Sequence, residues 1–185
     1  LIEAFAKEAQ NCKEHEFYII SKNKTTLNSS IKKYQNFKIL YYSENIFTKI
    51  IENFKRHFFT SSFLSKFKGP IERLANKNKI EMIWFTSGYC YEAMDIPYIA
   101  TVFDLQHRAQ PWFPEVGNNG QWAARELIYR YFLSRASYVI VGTEIGRQEV
   151  ELFYQIPKYR IHKLPHPTPS YILSLENKSK SYIRK

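Results

Sequence analysis

The amino-acid sequence predicts an α/β domain built on a doubly wound parallel sheet. Three observations carry that expectation: short apolar runs without polar alternation, helically spaced stretches between them, and a composition able to fill a core. Burial on both faces is what a parallel sheet covered by helices demands. Strand-then-helix alternation is how such a sheet is connected. With 185 residues, 44% of them hydrophobic and 17% aromatic, the chain is near the size of one ordered domain.

The elements follow in order. Leu1-Ile2-Glu3-Ala4-Phe5-Ala6-Lys7-Glu8 has the spacing of an amphipathic helix, with no basic leader and no small-residue cleavage site, so the chain is expected to begin inside an element. Residues 16–21 form an apolar run closed by the polar cluster 22–30, the pattern of a buried strand and a loop. A second strand is predicted at 37–42. Phe47, Ile50, Ile51, Phe54 and Phe58 then share one helical face, and that helix should stop before Gly69-Pro70. Pro70 suits the first turn of the next helix, over 71–78, where its missing N–H has no intrahelical partner to lose. Strands at 82–86 and 98–103 follow, the first ending at Ser87-Gly88-Tyr89. A polar loop over 104–119 leads into a helix over 121–135, a strand at 138–141, a helix from Glu144 and a short strand at 160–164. Pro165-His166-Pro167-Thr168-Pro169 removes backbone donors and forbids regular structure. It divides a domain at 1–170 from a polar, basic tail or linker at 171–185.

Lys and Arg number 27 against 17 Asp and Glu, a formal charge of +10. Lys, Asn, Ile, Phe and Tyr are abundant throughout, so the excess reads as a solvated, lysine-rich surface and not as a patch made for one partner. Phe54-Lys55-Arg56-His57-Phe58-Phe59 mixes aromatics with bases as a single-strand binding surface would. Its spacing is helical, however, and core packing explains it; no nucleic-acid partner is expected. Cys12 and Cys90 lie far apart, without a Cys or His at zinc spacing, so two reduced thiols, no metal and a cytoplasmic setting are expected. No apolar run approaches the roughly 20 residues of a membrane helix. The basic surface still suits peripheral attachment at the anionic inner face of a membrane.

Reactive side chains concentrate where strands are predicted to end, the side on which open α/β sheets bind ligands. Ser87, Asp104 and Thr143 occupy those ends. In Asp104-Leu105-Gln106-His107-Arg108 an imidazole can bond a sugar hydroxyl or a phosphate oxygen, a carboxylate can orient it, and a guanidinium can hold phosphate in a fork. A plain loop with a capping Asp is the alternative. In Val141-Gly142-Thr143-Glu144-Ile145-Gly146-Arg147 a strand runs straight into a helix that Thr143 can cap. Such a helix start presents free N–H groups to an anionic or polar ligand, although many bind nothing.

Four stretches, in order and spacing, resemble glycosyltransferase family 4. They are Thr101-Val102-Phe103-Asp104-Leu105-Gln106-His107, Pro111-Trp112-Phe113-Pro114-Glu115, Ala136-Ser137-Tyr138-Val139-Ile140-Val141-Gly142-Thr143-Glu144, and the closing run from Phe153-Tyr154-Gln155-Ile156-Pro157 to Leu164-Pro165-His166-Pro167. The resemblance covers residues 96–171; upstream only the order of elements agrees. It implies the N-terminal, acceptor-side half of a GT-B enzyme, in which two Rossmann-like domains face a cleft. The C-terminal domain of such an enzyme holds a nucleotide-sugar donor, and the N-terminal one receives a glycan or lipid-linked acceptor. Transfer in the family usually retains anomeric configuration and uses neither a metal nor a further cofactor. By resemblance, His107 and Asp104 border the donor sugar from the acceptor side as catalytic candidates, while Thr143, Glu144 and Arg147 line the acceptor edge; Arg108, for its guanidinium, and Ser87, for its place at a strand end, are added as substrate-binding candidates from the residues themselves.

The chain departs from the family where Phe103 replaces a frequent His. The family's first strand and Gly-rich loop, expected before Leu1, are absent from the chain, as is the donor domain. The chain alone is therefore expected to be inactive. A GT-B-like nucleotide-sugar epimerase and a non-catalytic Rossmann-like binding module are the alternatives.

Overall fold

A computed structural model of the chain describes residues 2–22, 34–43, 68–86, 94–166 and 168. Its elements are α1 (Ile2–Ala9), β1 (Phe17–Ser21), β2 (Phe37–Tyr41), α2 (Pro70–Lys77), β3 (Ile83–Phe85), β4 (Tyr98–Val102), α3 (Gln106–Ala109), α4 (Pro114–Gly117), α5 (Gln121–Arg135), β5 (Tyr138–Val141), α6 (Glu144–Tyr154) and β6 (Ile161–Lys163). Short 3-10 turns occupy Asn118–Gly120 and Lys158–Arg160.

Among the described residues every strand pairing is parallel. β1 and β2 form a two-stranded sheet, and β3, β4, β5 and β6 lie in chain order in a four-stranded one. Register assigns the faces. Phe85, Ala100, Val139 and Ile161 form one cross-strand row, and all four are buried beside Tyr98, Val102 and Val141. Onto this face α5 sets Ile128, Tyr129, Phe132 and Leu133. The Tyr98 ring stacks on Phe132 at 4.9 Å between centroids, and its hydroxyl donates to the Phe132 carbonyl at 2.6 Å. That bond satisfies a polar atom that burial would otherwise penalise.

Alternation sends Trp84, Ile99 and Thr101 to the other face, where Trp84 Nε1 donates to Thr101 Oγ1 at 3.0 Å. There the Phe5 ring of α1 meets Trp84 edge-on at 5.8 Å and Phe17 of β1 at 5.3 Å. α5 and α1 thus contact opposite faces of the four-stranded sheet. Pro70 opens α2 as expected. Glu72 on α2 is buried and accepts the Asp95 backbone N–H at 3.2 Å with Lys68 Nζ at 3.3 Å, which ties the helix to the segment entering β4.

Two expectations need correction. The stretch 104–119 is not an irregular loop: it folds as α3, α4 and a 3-10 turn because Leu105, His107 and Val116 are buried and draw the backbone inward. The last strand begins at Ile161, since residues 158–160 form a turn from which Arg160 donates to the carbonyls of Ser134 and Ala136. The helix predicted around Phe47 to Phe58, Cys90 and the tail at 171–185 lie outside the described residues, whereas Cys12 is a free thiol. Among the described residues no helix is long and apolar enough to cross a membrane.

Phe132 is 1% exposed and touches Phe85 as well as Tyr98. Phe132→Ala is expected to cost about 3–5 kcal/mol through lost burial and an unfilled cavity. Urea denaturation measures this, and a loss below about 1 kcal/mol would contradict the packing described.

Candidate functional site

In a parallel sheet all strands end on one side, and the helices that follow begin there. β4 ends at Val102 and hands the chain to Phe103, which is 52% exposed and stacks on His166 at 5.6 Å with 20° between the rings. Gly142, beyond β5, lies close by: a Cβ there would touch the His166 ring at 3.6 Å. Asp104 Oδ1 accepts the Gln106 backbone N–H at 3.1 Å and faces Arg125 Nη2 at 3.3 Å. Thr143 caps α6, its Oγ1 accepting the Gly146 N–H at 2.9 Å. Glu144 pairs with Arg147 and has Lys163 Nζ at 3.8 Å. The Arg147 bond holds the Glu144 carboxyl below its ordinary range. Glu149 is pushed up instead, by burial first and by the Asp104 charge second.

Behind this rim lies a packed polar network. Glu126 of α5 accepts Arg108 Nε at 2.7 Å through one oxygen and an Arg108 Nη through the other, and Arg130 joins it from one turn along the helix. The Arg108 guanidinium also lies over Trp122, Phe153 and Tyr154, each at 5.7 to 5.8 Å from the ring centroid. Tyr154 of α6 donates its one hydroxyl proton to Glu126 Oε2 at 3.1 Å, so its oxygen accepts from His107 Nε2–H at 3.1 Å. The bonding pattern thereby assigns the tautomer. Nδ1 of His107 is the bare nitrogen, buried and without a hydrogen-bond partner among the described residues. The imidazole is fully buried and stacks on Tyr129 at 5.5 Å.

The charge states follow from these surroundings. Burial depresses the His107 pKa most, the Arg125 charge depresses it further, and Glu126 opposes both. The ring is neutral at pH 7. Burial alone would raise the Glu126 carboxyl, but bonds from Arg108, Arg130 and Tyr154 outweigh it and hold the group ionised below the usual carboxylate range. Burial and the Glu126 charge push the Tyr154 phenol far above its ordinary value, so it remains a donor.

Of the residues singled out in the sequence, Asp104, Thr143, Glu144 and Arg147 lie at or beside the C-terminal ends of β4 and β5. His107 and Arg108 lie behind them, the first closed to solvent, the second with its fork on Glu126. For His107 to touch a sugar, α3 must lift away from α5. Ser87 lies outside the described residues. Sequence reading did not single out Glu126, Glu149, Tyr154, Phe103 or His166 as site residues. Glu126 is the one that left a signal, as a carboxylate among the apolar positions of α5, two residues before Ile128. Among the described residues no three His, Cys, Asp or Glu side chains gather as metal ligands would. No protein-family model matches the chain, and no curated protein is detectably similar to it in sequence.

His107 yields a pH prediction. Its folded pKa lies below the ordinary 6.5. Above pH 6.5 both folded and unfolded rings are neutral; below it the unfolded ring takes up a proton that the folded one resists, so stability falls as pH drops toward the folded pKa. A second loss, from Glu126, begins below its ordinary 4.5. Melting temperature against pH is expected to decline from 6.5 downward in the native chain. In His107→Gln the decline should shrink between 6.5 and 4.5 and persist below. Superimposable profiles would refute the assignment.

Proposed function

We propose that this chain is the acceptor-side domain of a glycosyltransferase of the GT-B kind, resembling family 4, which transfers a sugar from a nucleotide-sugar to a glycan or lipid-linked acceptor with retention. The observation that carries the reading is the C-terminal rim of the sheet. A flat Phe103–His166 stack, the Asp104 carboxylate and the Thr143-capped start of α6 follow successive strand ends there, and all belong to the stretches that resemble the family. An aromatic face beside carboxylates suits a polyhydroxylated ring, whose C–H groups lie on the ring while its hydroxyls donate to carboxylate oxygens.

The chemistry separates a diphosphate from an oxocarbenium-like sugar, so it needs charge stabilisation more than a single base. In this reading Asp104 meets the sugar, and Thr143, Glu144 and Arg147 bound the acceptor. His107 and Arg108 act from behind the rim, holding the chain that carries Asp104. The nucleotide-sugar is held by a partner domain, and no metal or further cofactor takes part. The setting is cytoplasmic, with the basic surface drawing the protein to the inner face of a membrane.

In an enzyme carrying both domains, Asp104→Asn is expected to lower kcat for sugar transfer at least about tenfold, near 1.4 kcal/mol, with the melting temperature unchanged. Native turnover in that variant would end the assignment. The chain by itself is expected to show negligible affinity for nucleotide-sugars in calorimetry, and micromolar binding would overturn the division of labour. The same titration against anionic vesicles at low salt tests the membrane setting, which absence of binding removes.

A further inference from the structure

Trp112 and Phe113 stand at the joint between α3 and α4, 71% and 39% exposed, with ring centroids 6.1 Å apart and 52° between the planes. Exposing two aromatic rings forfeits burial that would stabilise the fold. The turn that carries them is nevertheless firmly held. Phe113 is extended, as the residue before Pro114 must be. Its N–H donates to the Gln110 carbonyl at 3.2 Å, and its carbonyl accepts from the Val116 and Gly117 N–H groups at 3.1 and 3.0 Å. Leu105 before the joint and Val116 after it are buried anchors. Gly117 approaches so closely that a Cβ there would lie 3.0 Å from the Pro111 carbonyl oxygen. A pair presented on such a turn needs little ordering when a ligand arrives.

The charge of this stretch selects the ligand. The chain carries +10 overall, yet between Arg108 and Arg125 it holds no Lys or Arg, and Glu115 is the only charged side chain. The two bounding arginines are engaged, Arg108 with Glu126 and Arg125 with Asp104. An anionic partner, whether a phosphate backbone or an acidic lipid surface, draws on basic residues that this stretch lacks. Area argues against a protein partner: a stable interface buries about 800 Å² on each side, and two rings offer at most about 150–250 Å² each. What flanks the rings along the chain is amide, with Gln110 before them and Asn118 and Gln121 after, each able to donate and accept. Aromatic faces for C–H groups beside neutral amides for hydroxyls are the chemistry that recognises an uncharged sugar.

We propose that Trp112 and Phe113 form a platform for a neutral sugar unit of an oligosaccharide. The open angle between their planes lets a sugar ring that lies on Trp112 meet Phe113 at its edge. Three helical steps and five extended ones separate Trp112 from Asp104, a path of no more than about 22 Å, which is within reach of one oligosaccharide. The platform's role as an outer part of the acceptor site rests on the glycosyltransferase reading; its taking of a sugar does not.

The test titrates the full chain and Trp112→Ala with neutral disaccharides and hexasaccharides of glucose, mannose and galactose, following the Trp112 indole N–H by NMR. The native chain is expected to bind at least one series, the hexasaccharide more tightly than the disaccharide, with that resonance shifting. Trp112→Ala should weaken binding at least about tenfold, near 1.4 kcal/mol, without lowering the melting temperature, since so exposed a side chain does not hold the fold. Absence of binding throughout, or equal affinity in Trp112→Ala, would overturn the proposal. A Trp112-dependent dimer in analytical ultracentrifugation would do the same by assigning the face to a second copy. So would a blue shift of Trp112 emission, identified by Trp112→Phe, on uncharged or acidic phospholipid vesicles, which assigns it to a membrane. The titration involves no sugar transfer. Native turnover in Asp104→Asn would therefore strike the glycosyltransferase reading and leave the platform, whereas a failed titration would strike the platform and leave that reading.

Discussion

Glu126 places a carboxylate where α3, α5 and α6 meet and water scarcely reaches, and a charge there is tolerated only when its lone pairs are filled. Arg108 fills them from α3, Arg130 from the same helix and Tyr154 from α6. Each bond fixes an element. Because α3 begins two residues after Asp104 leads the chain off the sheet, with Leu105 buried between, the carboxylate of α5 determines where the exposed rim can stand. Removing it would leave Arg108 walled by three aromatic rings without its counter-charge, a loss felt by the fold and the rim together.

That coupling gives the two halves of Asp104-Leu105-Gln106-His107-Arg108 different tasks. Asp104 and Gln106 face solvent, whereas Leu105 and His107 are buried. A neutral imidazole between Tyr129 and Tyr154 packs well and costs no charge, and the same burial that depresses its pKa removes it from solvent. The rim is left with groups that can still exchange partners: a carboxylate held by one arginine, an aromatic stack, and a helix cap. A ligand can compete with contacts of that strength more readily than with the bidentate pair behind them.

Much of the fold was legible because its signals are local. Apolar runs marked β1, β2, β4 and β5 to within a residue or so, and Pro70 and Thr143 marked the starts of α2 and α6 through the backbone donors each lacks or satisfies. The stretch 104–119 was misread because its helices are too short for periodicity to register, and burial of Leu105 and Val116 holds them. The site was legible in part for a related reason. A polar residue after a strand announces itself, but Tyr154 lies 28 residues from Glu126, and no spacing rule connects them.

By itself, the sequence determined that the domain is α/β with parallel strands, since alternation of two-sided apolar runs with helices admits few other packings. It also determined which strand ends carry polar groups. Tertiary structure alone decided that His107 and Arg108 turn inward and that Phe103 and His166 stack at the rim. Each of these depends on residues far apart in the chain competing for the same buried space, and a hydrophobic pattern records a residue's own preference for burial but not which neighbour meets it there.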